Sequence, residues 1–165
     1  MIRSLLTHFL FVLVFISVSI AQESGGVRLL GHYIPPQGGS YVAGCWGWTD
    51  TTSGREYAIL GCNTGTSIVE ITDAGNPVER DFVPGPNSIW RELQTHSHYA
   101  YVVTEGGGGV QIIDLSYLPD SVHLVKSFNY SQGGKNILYS HTNQIRDGYL
   151  YLNGCGYWSP GGAVI

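Results

Sequence analysis

The stretch YAILGCNTGTSIVEITDAGNPVERDF, beginning at Tyr57, is written again in outline as YAYVVTEGGGGVQIIDLSYLPDSVHLVKSF, beginning at Tyr99. Each copy opens Tyr-Ala and runs through an apolar stretch to a turn containing glycine. A second apolar stretch then reaches an aspartate, Asp73 or Asp114. Pro77 and Pro119 follow, each opening a further strand-like run. GYLYLNGCGYWSPGGAVI, from Gly148, begins a third copy. A short run precedes each later Tyr, SIWRELQT before Tyr99 and SHTNQIR before Tyr149, so each unit offers four strands. Four antiparallel strands in about 40 to 50 residues is the period of a β-propeller blade. Such a unit cannot bury its apolar faces alone and has to stack on its neighbours. The repeat therefore predicts an all-β fold, a partial β-propeller of about three four-stranded antiparallel blades.

Four consecutive glycines, Gly106 to Gly109, stand where the first copy has NTGTS and the third has SPGG. The shared requirement is a turn between antiparallel strands, and glycine there supplies positive φ without steric cost. A phosphate cradle would need a following helix and a Lys-Ser or Lys-Thr pair, whereas VQIIDL reads as a strand.

The amino terminus, MIRSLLTHFLFVLVFISVSIAQE, has a positive charge at Arg3, an apolar run from Phe9 to Ile16, and small residues at Ser19 and Ala21. That pattern predicts a signal peptide over residues 1–21, cut after Ala21, rather than a membrane anchor, because the apolar run is short for a span and no basic cluster follows. The rest, 22–165, is expected to be the repeat domain. VRLLGHYIPPQG, from Val27, resembles the last strand of a unit, as in VHLVKSFNYSQG from Val122. It is expected to complete the final blade and close the ring. Since GGAVI at Ile165 stops midway through a unit, the sequence is expected to be a fragment of a longer, ring-closed protein.

Composition narrows the partners. With 12% charged residues and a net charge of -4 there is no basic face for nucleic acid. Export would place Cys45, Cys62 and Cys155 in an oxidising compartment, yet their odd number and spacing match no metal knuckle. They read as small buried apolar residues.

The segments CWGWTD, GREYAILGCNTGTSIVEITD, GPNSIWRELQ and YAYVVTEGGGGVQIIDLSYLP, with NPVERDF, resemble the LVIVD repeat and the choice-of-anchor B family of secreted bacterial proteins. The resemblance covers Val27 to Ile165. It implies an exported propeller tethered at the cell surface by a sorting signal lying beyond Ile165, and it brings no catalytic residues.

Trp46, Trp48, Trp90 and Arg91 fall in or beside the first strands of their units. One reading is packing between blades, where a large aromatic buries about 150 to 250 Å². The other is a ligand platform at the channel mouth, with Arg91 presenting its fork to a carboxylate or sugar. His141 aligns approximately with Trp90 and joins that set, so the possible ligand contacts are Trp46, Trp90, Arg91 and His141. His96 and His98 flank Ser97 in a solvated turn, without the third ligand a zinc site needs. Asp73 and Asp114 are placed to cap turns through backbone N–H groups two residues on. Glu105 has no carboxylate partner of the kind a glycosidase requires. Asn129 in NYS is a glycosylation acceptor if the secretory pathway is eukaryotic. No nucleophile elbow, His-Glu-x-x-His, calcium loop or cofactor motif occurs. The expectation is a non-catalytic, exported interaction or scaffold module with a protein or glycan surface ligand. The alternative is an extracellular hydrolase or lyase whose residues converge on the channel, partly from blades not in this sequence.

Overall fold

A computed structural model describes residues 26–132, 135–155 and 162–164. The expected signal peptide, 1–21, lies outside them, as do the first three residues of the turn SPGG of the third copy. Among the described residues there is no helix, and no helix long and apolar enough to cross a membrane. The chain is all-β.

The first sheet is an antiparallel meander of β1 (Val42–Asp50), β2 (Arg55–Cys62), β3 (Gly65–Glu70) and β4 (Val78–Pro84). The second repeats it with β5 (Arg91–His96), β6 (Tyr99–Thr104), β7 (Val110–Asp114) and β8 (His123–Phe128). After the small hairpin of β9 (Ser131–Gln132) and β10 (Lys135–Asn136), a third sheet holds β11 (Thr142–Arg146), β12 (Tyr149–Cys155) and β13 (Gly162–Val164). Valine, isoleucine and tyrosine dominate β6 and β7, where branched and aromatic side chains pack well on a pleated surface.

The sheets stack in chain order. Tyr57, Ile59, Ile68 and Val83 of the first meet Leu93, Val102 and Ile113 of the second in one apolar layer. Val103 and Val110, on the opposite face of the second sheet, meet Leu152 and Cys155 of the third. Alternation along each strand makes this possible, because Val102 and Val103 point to opposite faces. Burying each such side chain contributes roughly 1.5–3 kcal/mol, so the stack is held mainly by these two layers.

The first strands lie side by side, β1 against β5 and β5 against β11. Two equivalent struts link them. Trp46 Nε1 donates to Thr95 Oγ1 at 3.1 Å, and the Ile145 amide donates to Gln94 Oε1 at 2.7 Å. Pairing register makes Gln94 the counterpart of Trp46: Gln94 faces Tyr101, and Trp46 faces Ile59.

The register also corrects the letter-by-letter alignment of the copies. Glu70 faces Tyr57 as Asp114 faces Tyr99, so Glu70, not Asp73, is the counterpart of Asp114. The Ile71 amide bonded to Glu56 O matches the Leu115 amide bonded to His98 O. The cause is turn length, for Cys62 pairs directly with Gly65 across a tight turn whereas Glu105 to Gly109 form a longer loop. Asp73 lies beyond β3, in the turn.

Val27–Pro35, expected as a strand, forms none. It lies over the rear face of the first sheet, where a groove is bounded by Leu29, Tyr33, Leu60, Val69 and Ile71. Tyr33 Oη donates to Glu79 Oε2 at 3.0 Å. Gly31 sits so close to Ala74 that a Cβ would come within 1.9 Å of its carbonyl oxygen. Contacts to a sheet face, rather than pairing along an edge, hold this segment.

Candidate functional site

In a meander the turns alternate between two ends. One end gathers the β2–β3 turn, the β4–β5 connection, the β6–β7 loop and the residues before β11. The sequence builds it from glycine. Gly107, Gly108 and Gly109 have φ of 92°, 83° and 74°, the left-handed region glycine enters freely. The Gly109 amide donates to Leu138 O at 3.0 Å, tying the loop to the segment that leads into β11.

This loop carries Glu105 toward the third sheet. His141 Nδ1 lies 2.7 Å from Glu105 Oε1, and both side chains are nearly half exposed. A carboxylate only accepts, so Nδ1–H is the donor, and among the described residues Nε2 and the second carboxylate oxygen have no partner. The Trp90 indole stands 5.7 Å from the imidazole, tilted by 54°, and is 47% exposed. Ser88 fixes its backbone on both sides, as the hydroxyl donates to Trp90 O at 2.8 Å and accepts from Trp90 N at 3.1 Å. Gly154, with φ of 67°, lets β12 pass His141, because a Cβ there would fall 2.6 Å from His141 Cβ.

The structure thus brings Trp90 and His141 together and separates the other two candidates from them. Arg91 is 1% exposed. Its guanidinium donates to Cys62 O at 2.7 Å, Pro86 O at 2.6 Å and Gln111 Oε1 at 3.4 Å. Gln111 in turn donates to Pro84 O. Arg91 presents no fork to a ligand; it is a clasp between the first two sheets, and burial pulls its pKa below the usual arginine range. Gly44 and Gly61 permit this close approach, since a Cβ on either would fall about 2.5 Å from the Arg91 carbonyl oxygen. Trp46 is the strut to Thr95, farther along β5. By register His141 is the counterpart of Arg91 rather than of Trp90, because Thr142 faces Asn153 as Glu92 faces Val103.

Glu105 has no role that the sequence alone assigns. Its partner is an imidazole from another sheet, a spatial pairing that no local spacing announces.

The histidines around Ser97 sit as the turn reading requires. His96 ends β5, Ser97 has φ of 55°, and His98 begins the return. That reversal undoes the strand alternation which would put the two rings on one face. Asp73 Oδ1 accepts from Gly75 N at 3.1 Å and Asp114 Oδ1 from Ser116 N at 2.9 Å, each two residues on. Cys62 and Cys155 are buried and Cys45 is exposed, with no disulfide among them. The expectation of three buried cysteines therefore fails at Cys45, which lies on the edge strand β1 of its sheet. Among the described residues no three His, Cys, Asp or Glu side chains gather as metal ligands.

At the other end, a cleft of about 550 Å³ is lined by Trp48, Asp50, Thr52, Ser97, His98 and Leu115. Its carboxylate is spent on its own turn, where Asp50 accepts from Thr52 N and Ser53 Oγ. Among the described residues the Glu105–His141–Trp90 cluster keeps polar atoms without partners and an exposed ring, so it is the better candidate site. No family model, curated protein or solved structure matches the chain.

Proposed function

We propose that the stacked sheets are blades of a β-propeller, and that the protein is an exported, non-catalytic member of the choice-of-anchor B type that acts as an extracellular interaction or scaffold module. The observation that carries this reading is the repeated meander with its first strands side by side, joined by struts at equivalent positions, Trp46 to Thr95 and Gln94 to Ile145. Radial repetition of such sheets is how propellers manage their edges, and it gathers loops from successive blades at one end. Loops on a rigid scaffold are where binding residues concentrate. Trp90, Glu105 and His141 come from three such loops.

The rival reading is a hydrolase or lyase, favoured by the Glu105–His141 pair, since a carboxylate that orients an imidazole is half of a general base arrangement. Ser140, next in sequence, does not complete it, because it is buried and its hydroxyl lies within bonding distance of Thr142 O and Asn153 O, one of which takes its single proton.

The test is expression with the native leader, followed by fractionation and turnover assays on ester, glycoside and polyuronide substrates, with and without divalent ions. Recovery in the exported fraction, saturable binding to cell-surface material and no turnover are the expected results. Retention inside the cell, or turnover abolished by His141→Ala, overturns the reading.

A further inference from the structure

We infer that the Trp90–His141–Glu105 cluster binds a neutral saccharide, with a pyranose ring stacked on the indole of Trp90 and its hydroxyl groups bonded to His141 Nε2 and Glu105 Oε2. This rests on the reading of the protein as an interaction module and names the ligand class of that site.

Three features point to a sugar. Trp90 offers a broad apolar surface that is 47% exposed, on a backbone that the Ser88 bonds hold in place. The tilted contact with His141 braces the ring without lying flat across it. A rigid aromatic loses little conformational freedom on binding, which favours it as an anchor. A pyranose presents the complement, an apolar patch of C–H groups bordered by hydroxyls.

The polar atoms beside the indole suit hydroxyls better than charges. A hydroxyl both donates and accepts. Glu105 Oε2 accepts, and His141 Nε2 accepts in the neutral ring and donates in the protonated one. One side of each group is already fixed by the 2.7 Å bond between them, so both are oriented before a ligand arrives. A cationic ligand would use only acceptors and would be repelled by a protonated imidazole. It is also commonly held in a cage of several aromatic rings, whereas here one indole stands beside the histidine. An anionic ligand would meet the Glu105 carboxylate, with the Arg91 guanidinium already buried and bonded elsewhere.

Isothermal titration calorimetry on the full chain, with oligosaccharides derived from cellulose, laminarin and mannan and with tetramethylammonium as the cation probe, tests the inference. Heat rather than fluorescence is read because the sequence has 4 tryptophans. Saturable binding of at least one oligosaccharide is expected. Trp90→Ala should weaken it by about tenfold or more and Trp90→Phe by about threefold or less. His141→Gln and Glu105→Gln should each weaken it by about three- to tenfold, with circular dichroism and melting unchanged in every variant. The inference is overturned if no oligosaccharide binds, if Trp90→Ala binds as tightly as the parent, or if tetramethylammonium binds and the sugars do not. Binding to cell-surface material that persists without sugar binding refutes the saccharide and leaves the module reading standing. Cleavage of a bound oligosaccharide does the reverse.

Discussion

The β2–β3 turn and the β6–β7 loop occupy the same place in two sheets and solve it differently. In the first, Asn63 and Thr64 turn the chain tightly, and Asn63 is pinned through its amide to Gly38 O and Tyr41 O and through its side chain to Asn87 at 2.5 Å. In the second, Glu105 to Gly109 take a wider path through three positive-φ glycines. The tight turn is consumed by structure. The wide loop frees one carboxylate to leave its own sheet and meet His141 of the next. Lengthening a turn on a fixed scaffold, at modest entropic cost, is thus enough to convert a structural position into a chemical one.

Arg91 spans both turns, bonded to Cys62 O at the base of the first and to Gln111 at the base of the second. Arg91→Ala should therefore have the largest effect, a loss of about 3 kcal/mol or more, since buried acceptors lose a charged donor and a cavity remains. Urea unfolding measures it, and a loss below about 1 kcal/mol would show that the turns are not clasped together. Within the wide loop, Gly109→Val should exceed Gly107→Val. Both meet the strain of positive φ, about 1–3 kcal/mol, but only at Gly109 would a Cβ also fall 2.2 Å from Phe128 O. Equal melting shifts would refute that ranking. Glu105→Gln should change stability by no more than about 0.5 kcal/mol, an exposed pair contributing little, so that its effect on ligand binding stands apart.

The smallest effect concerns the counterparts Glu70 and Asp114. Burial pushes Glu70 up, but its bonds from Arg80 and the charge of Arg55 hold it below the usual carboxylate range. Burial likewise raises Asp114, and the Ser116 bonds with His98 and His123 nearby bring it down on balance. A carboxyl whose pKa is lowered on folding contributes stability that is full above the unfolded pKa, about 4, and lost as pH falls through the folded one. Melting temperature should decline through that acid window, and Glu70→Gln or Asp114→Asn should each flatten the decline. An unchanged slope in both would mean that neither carboxyl gains from folding.

All-β character, the meander units and the glycine turn could be read from the sequence because each is local. The short continuous apolar run YAYVV and the run of glycines state their own geometry. What failed depended on distance. Matching VEITD with VQIID by letters put Asp73 opposite Asp114, whereas hydrogen-bond register, decided by the length of the preceding turn, chose Glu70. Arg91 beside an exposed Trp90 looked accessible, yet the neighbouring strand position points inward. Val27–Tyr33 has strand composition and lies as one wall of a groove over a sheet face, since composition cannot say whether an edge or a face will be met.

Each of these sheets closes through hairpins between residues near one another in the sequence, and each apolar layer joins only consecutive sheets. A chain emerging amino terminus first can therefore finish one layer before the next is synthesised. The apolar face of each completed layer then has little chance to meet another chain during the seconds in which its later neighbours are still being made.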